Sequence, residues 1–266
     1  MLKKEPKYRK TLTEKQLRLL KLIYKFRFVS VPLLAEVLGR NKSSVYENLY
    51  VLVGQGYVEK RYNGSFRLAH IPAIYCLDTK GIKLLRNEEH KLSDMALSNM
   101  YKNKRMNLEY INKCLQALEI FSAFKRHYGD TFRIFSRFEL SNYDFFPRPL
   151  PDFYLRRVGS KEDEVNEFMV SILEKSVPYF VHIKKMRTYQ THEEEEGWEG
   201  DYPCVLLIAP TDAIEKRLRK TIENTSQDFE FYTTTVDRLI ATDREPAVWA
   251  EAFEEDELIS LNDMER

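Results

Sequence analysis

Cysteine is scarce and scattered. Cys76, Cys114 and Cys204 are the three in 266 residues, and no pair has metal-ligand spacing. That argues against a disulfide-stapled scaffold or a thiolate metal site and predicts reduced thiols in a cytoplasmic protein. No apolar run is long enough to span a bilayer, and the charged start, Met1 to Lys10, has no apolar stretch behind it. The expectation is therefore no signal peptide and no membrane partner. A phosphate-cradling glycine loop and a serine-nucleophile elbow are both missing. The five histidines, His70, His90, His127, His182 and His192, are too dispersed to suggest a metal centre. Neither a metal nor a cofactor is expected.

What is present is a globular composition, 43% hydrophobic and 13% aromatic, with a strong charge asymmetry. Residues 1–140 hold 27 Lys/Arg against 13 Asp/Glu, whereas residues 141–266 hold 15 against 28. The net charge of +1 conceals that division. A basic first half suits a polyanion, most commonly nucleic acid; attraction of the halves to each other or to neighbouring subunits is the plainer alternative.

The local pattern favours nucleic acid. Thr13-Glu14 opens an amphipathic stretch with Leu17, Leu20, Ile23 and Tyr24 on one face. A second short helix spans about Val31 to Leu38, and Gly39 makes the turn. Asn41 can cap a third helix, about Lys42 to Val53, burying Val45, Leu49 and Leu52. That helix presents Lys42, Ser43, Ser44, Tyr46, Glu47, Asn48 and Tyr50 outward. Asn63-Gly64, between Tyr57–Tyr62 and Phe66–Leu68, reads as a hairpin turn, with a further strand from Ala73 to Leu77. Three helices and then a hairpin make a winged helix-turn-helix over residues 1–90, whose third helix enters the major groove of double-stranded DNA. The expected DNA-binding residues are Lys42, Ser43, Ser44, Tyr46 and Asn48 on that helix, and Arg61, Asn63 and Arg67 around the wing tip. Winged helices also serve as protein–protein modules, but the hydroxyl, amide and lysine side chains here suit phosphates and base edges.

Residues 91–128 form a linking segment. Leu108, Ile111, Leu115, Leu118, Phe121 and Phe124 recur at helical spacing, either as core or as the stripe of a homodimer. Strands and helices alternate across residues 129–243: strands at Phe132–Phe138, Asp152–Leu155, Glu167–Leu173, Cys204–Ala209 and Phe229–Tyr232, with helices around Val181–Tyr189 and from Thr211. Glu193 to Glu196 read as a solvated acidic loop, and residues 244–266 as an acidic tail.

The chain resembles the replication-relaxation family of plasmid and mobile-element proteins over roughly residues 10–240. The resemblance rests on the order of Tyr75-Cys76-Leu77-Asp78-Thr79-Lys80-Gly81, Pro151-Asp152, Phe168–Leu173, the helix with Lys185 and Tyr189, and Tyr202–Ile208. It implies an α+β chain, a winged helix-turn-helix followed by a restriction-endonuclease-like α/β sheet domain. The implied role is in plasmid replication, relaxation or mobilisation, with a replication or relaxase protein as a further partner. Active members of that fold pair Pro-Asp with an acid-x-Lys on the next strand to hold Mg²⁺. Here Ser171 and Leu173 stand where the pattern places acids, and Glu174-Lys175 point to opposite faces. The expectation is a DNA-binding protein without catalysis of its own; a winged-helix transcription regulator and a Mg²⁺-dependent endonuclease are the alternatives.

Overall fold

The computed structural model describes residues 11–68, 70–88, 92–159, 166–195, 197–225, 229–241, 247–251 and 257–264. The first ten residues, His90, Glu196 and parts of the C-terminal run lie outside them. Two compact units divide the chain, Met1–Leu118 and Glu119–Arg266. Among the described residues, no helix is long and apolar enough to cross a membrane.

The first unit begins with α1 (Glu14–Phe26), closed by a capping box. Thr13 N donates to Gln16 Oε1 (2.9 Å), and Gln16 N donates to Thr13 Oγ1 (3.3 Å). Its inward face is Leu19, Leu20, Ile23 and Tyr24. The chain leaves it through Arg27, at a positive φ of 65° that side-chained residues rarely adopt. Three partners hold Arg27 there: Nε donates to Asn103 Oδ1 (2.8 Å), Nη1 to Tyr110 Oη (2.7 Å) and Nη2 to the Asn99 carbonyl (2.9 Å). A short β1 (Val29–Ser30) leads into α2 (Val31–Leu38), which ends at left-handed Gly39. Asn41 then caps α3 (Lys42–Gly54), its Oδ1 accepting from Ser43 N at 2.9 Å, and Val45, Leu49 and Leu52 are buried.

The expected hairpin is built differently. After β2 (Val58–Arg61), residues Gly64–Leu68 form a helical turn, α4, rather than a return strand. Asn63 acts as its cap, with Oδ1 accepting from Phe66 N at 3.1 Å. The local side-chain bond competes with the tight turn that Asn-Gly suggested. The strand that pairs with β2 is β3 (Ile74–Leu77), antiparallel, with Val58 opposite Leu77 and Arg61 opposite Ile74. With β1 it makes a three-stranded sheet ordered β1-β3-β2. There follow α5 (Thr79–Glu88), α6 (Asp94–Met100), a 3₁₀ turn at Asn103–Arg105 and α7 (Leu108–Tyr128), in which the two units meet along the chain.

The second unit is α+β with a mixed seven-stranded sheet. In chain order it contains β4 (Phe132–Ser136), α8 (Arg137–Leu140), β5 (Phe153–Arg157), β6 (Glu167–Ile172), α9 (Tyr179–Glu194), β7 (Cys204–Ala209), α10 (Asp212–Thr225), β8 (Phe231–Thr235), α11 (Val236–Ile240), β9 (Ala247–Glu251) and β10 (Leu258–Ser260). The sheet order is β10-β9-β8-β7-β6-β5-β4, parallel for β6-β7-β8 and antiparallel at both ends. All six residues of β7 are buried, as a strand with both faces covered requires. One face packs Tyr154, Met169, Val205, Leu207 and Phe231 against Met186 and Tyr189 of α9 and Leu218 and Ile222 of α10.

Several expectations are corrected here. Residues 244–266 are not simply a tail, because β9 and β10 extend the sheet and Trp249 is fully buried. Its ring stacks on Phe124 (6.1 Å, 14°), and its Nε1 donates to Tyr128 Oη at 3.0 Å. The four-residue apolar run Ala247–Ala250 is too short a signal. The first strand stops at Ser136, where Glu139 Oε2 accepts from Ser136 N (2.7 Å) and starts α8. Glu193 and Glu194 end α9 instead of lying in a loop. The α7 stripe is spent inside the units: Ile111 and Cys114 join a cluster with Phe28, Ile74 and Cys76, and Phe124 lies against Phe153 and Trp249. Of the stripe read as core or dimer face, Ile111, Leu118, Phe121 and Phe124 are buried, whereas Leu108 is exposed. Buried too are all three free cysteines, and burial pushes the Cys76 thiol up to about 12.

Candidate nucleic-acid interface

Capping by Asn41 and burial of Val45, Leu49 and Leu52 fix which face of α3 points outward. On that face Lys42, Ser43, Ser44 and Tyr46 are exposed, and Asn48 is half-buried. Asn48 Nδ2 donates to the Ser44 carbonyl at 2.8 Å, so its Oδ1 is not used in that bond. One turn beyond Tyr46 lies Tyr50, 60% exposed, and the two rings stack at 6.4 Å and 29°.

Beside them stands Lys60 of β2. Its Nζ lies 5.7 Å from the Tyr46 ring centre and 5.6 Å from that of Tyr62. An ammonium held near two exposed phenol rings, on an exposed side chain, is a positioned cation. Tyr50 was expected to face outward; Lys60 and Tyr62 were not among the expected contacts. The signal for those two was the cross-element proximity of a helix face and a strand, which no local spacing reveals.

The residues expected at a wing tip divide. Arg67 and Asn63 are exposed on the 62–73 connection, but the Asn63 carbonyl oxygen is occupied as a helix cap. Arg61 turns inward: Nη1 donates to the Asn103 and Met106 carbonyls, both at 3.2 Å, and its guanidinium lies over the Phe28 ring. It was expected to grip phosphate; instead it joins β2 to the segment before α7.

A second cluster bears on catalysis. Asp152 opens β5, its N–H donating to the Val170 carbonyl (2.8 Å). Its Oδ2 accepts from Ile172 N (2.8 Å) and from Lys185 Nζ of α9 (3.1 Å), while Arg137 Nη1 stands 3.8 Å from Oδ1. Burial disfavours the Lys185 charge, but the Asp152 carboxylate outweighs it, so Lys185 is held above the ordinary lysine value. Ser171 is fully buried, and its Oγ and the Tyr189 hydroxyl are 3.0 Å apart. Glu167 lies at the far end of β6, 3.6 Å from Arg156. The carboxylate that sequence left without a partner acid thus has a lysine partner, delivered from a helix. Among the described residues, no group of three or more His, Cys, Asp or Glu could hold a metal ion.

No family model matches the chain, and no curated protein is similar to it. Among solved structures, the restriction endonuclease FokI is similar at 13% identity and a TM-score of 0.31, over 85% of this chain and 43% of that one. The chain thus spans less than half of that protein's length.

Proposed function

We propose that this chain is a DNA-binding protein whose first unit acts as a winged helix and whose second unit is a nuclease-like sheet without catalysis. The observation that carries the first part is the solvent face of α3, where Lys42, Ser43, Ser44 and Tyr46 stand beside the Tyr46–Lys60–Tyr62 stack. Duplex DNA is the partner this face suits. Lysines meet phosphates, hydroxyls and the Asn48 amide reach base edges, and Arg67 touches backbone beside the wing. The Asp152–Lys185 pair supports the second part, since an ammonium 3.1 Å from the carboxylate supplies the positive charge that a cation would otherwise bring. A role in plasmid replication, relaxation or mobilisation, beside a replication or relaxase protein, fits this reading.

Two assays on the full chain test it. Electrophoretic mobility of short duplexes at low salt should show a retarded complex, weakened by Lys42→Ala and by Lys60→Ala. Supercoiled plasmid with protein and Mg²⁺ or Mn²⁺ should stay supercoiled. Nicking that disappears in Asp152→Ala would establish the endonuclease reading instead.

A further inference from the structure

Away from Asp152, the second unit contains a cavity of about 650 Å³ lined by aromatic rings, among them Phe135, Phe145, Phe146, Tyr154 and Trp198. That volume lies within the range of small-ligand sites, about 300–1,000 Å³. The rings are close and differently oriented: Phe145 is 4.7 Å from Phe146 and 5.3 Å from Trp198, and Phe146 is 5.3 Å from Trp198. Phe145 is 49% exposed at the rim. The walls are tied in place. His192 Nδ1 lies 3.1 Å from the Tyr202 hydroxyl, and the ring bonds the Phe145 main chain. Gly197 is required because a β-carbon there would run into the His192 ring.

The charges around the cavity indicate what enters. Arg156 lines it, and Arg133 sits directly opposite Arg156 on the neighbouring strand, with both side chains exposed on one sheet face. Like charges directly opposite are unfavourable in a sheet; Glu167, opposite Arg156 on the other neighbouring strand, offsets one of the two, and an anion bridging the guanidiniums offsets the other. The carboxylate that could hold a cation is engaged: Glu167 is 3.6 Å from Arg156 and hydrogen-bonded to the Tyr154 hydroxyl. Glu199 is exposed at the edge.

We infer that this cavity takes the base of a nucleotide, stacked among Phe145, Phe146 and Trp198, with its phosphate held by Arg133 and Arg156. Flat rings accept any base face, and paired guanidiniums match phosphate oxygens. Free mononucleotide and an unpaired base of a nucleic-acid strand offer the same chemistry. The site does not depend on the α3 interface.

Tryptophan fluorescence of the full chain tests this, because Trp198 lines the cavity while Trp249 is fully buried elsewhere. The probes are adenosine monophosphate, a short single-stranded oligothymidine and, as a cation, tetramethylammonium. Expected is saturable quenching by the first two. Phe145→Ala should weaken it about tenfold, and Arg156→Ala should also weaken it; both positions are exposed enough for the fold to tolerate the change. Tighter quenching by the oligonucleotide identifies a strand as the source, and equal quenching identifies the mononucleotide. No saturable quenching, quenching indifferent to both variants, or quenching by tetramethylammonium alone overturns the inference. Loss of duplex binding in Lys42→Ala with this quenching intact would leave it standing.

Discussion

Asp152 serves several partners at once: the Ile172 amide, Lys185 and, more loosely, Arg137. Its side chain is 19% exposed and that of Lys185 18%, so solvent screens the pair only in part. Removing one member strands the other in a poorly solvated site. Asp152→Ala should therefore lower unfolding free energy by about 3 kcal/mol, read by urea denaturation, without creating or abolishing any cleavage. Arg61→Ala should likewise cost stability and leave the salt dependence of DNA binding unchanged, since its guanidinium is committed to carbonyls. Burial holds His182 and His192 below the ordinary histidine value of 6.5. The unfolded chain then binds protons that the folded one refuses, so their contribution is complete above 6.5 and is lost as pH falls from there through the lower folded values. Between pH 7.5 and 6 the urea midpoint should fall, and the His182→Gln/His192→Gln variant should show a flatter dependence. Asp152 was legible from Pro151-Asp152, but its partner was not, because Lys185 reaches it from 33 residues further along.

At the scale of elements, local chemistry made some boundaries readable. Thr13, Gly39 and Asn41 mark helix ends through capping and left-handed turns, and each stands where those rules place it. The unbroken apolar run Cys204–Ala209 reads as a strand covered on both faces, and all six residues are buried in β7. Asn63-Gly64 failed because two local rules competed and the cap prevailed. The β9 strand failed because its five residues acquire meaning only beside β8. A chain ending at residue 243 would lose the buried Trp249 ring and its contacts to Phe124 and Tyr128. Such a truncation should unfold without a cooperative calorimetric transition for the second unit. In the full chain, Phe124→Ala should cost about 3–5 kcal/mol, the usual loss for a large buried ring.

Across the whole molecule, charge and structure divide together. The first unit carries 23 Lys/Arg and 10 Asp/Glu, whereas the second carries 19 and 31. That asymmetry was visible from composition, and the outward residues of α3 from helical spacing; the Tyr46–Lys60–Tyr62 stack and the aromatic cavity needed tertiary structure. We propose that the basic unit grips duplex DNA through the α3 face and Lys60. Each phosphate contact releases counterions, so affinity must fall with salt in proportion to their number. The decisive measurement is the logarithm of the association constant of the full chain for a duplex against the logarithm of salt concentration, by fluorescence anisotropy. A steep negative slope is predicted, reduced by about one each in Lys42→Ala and Lys60→Ala. A slope near zero, or one that neither substitution changes, would contradict the account.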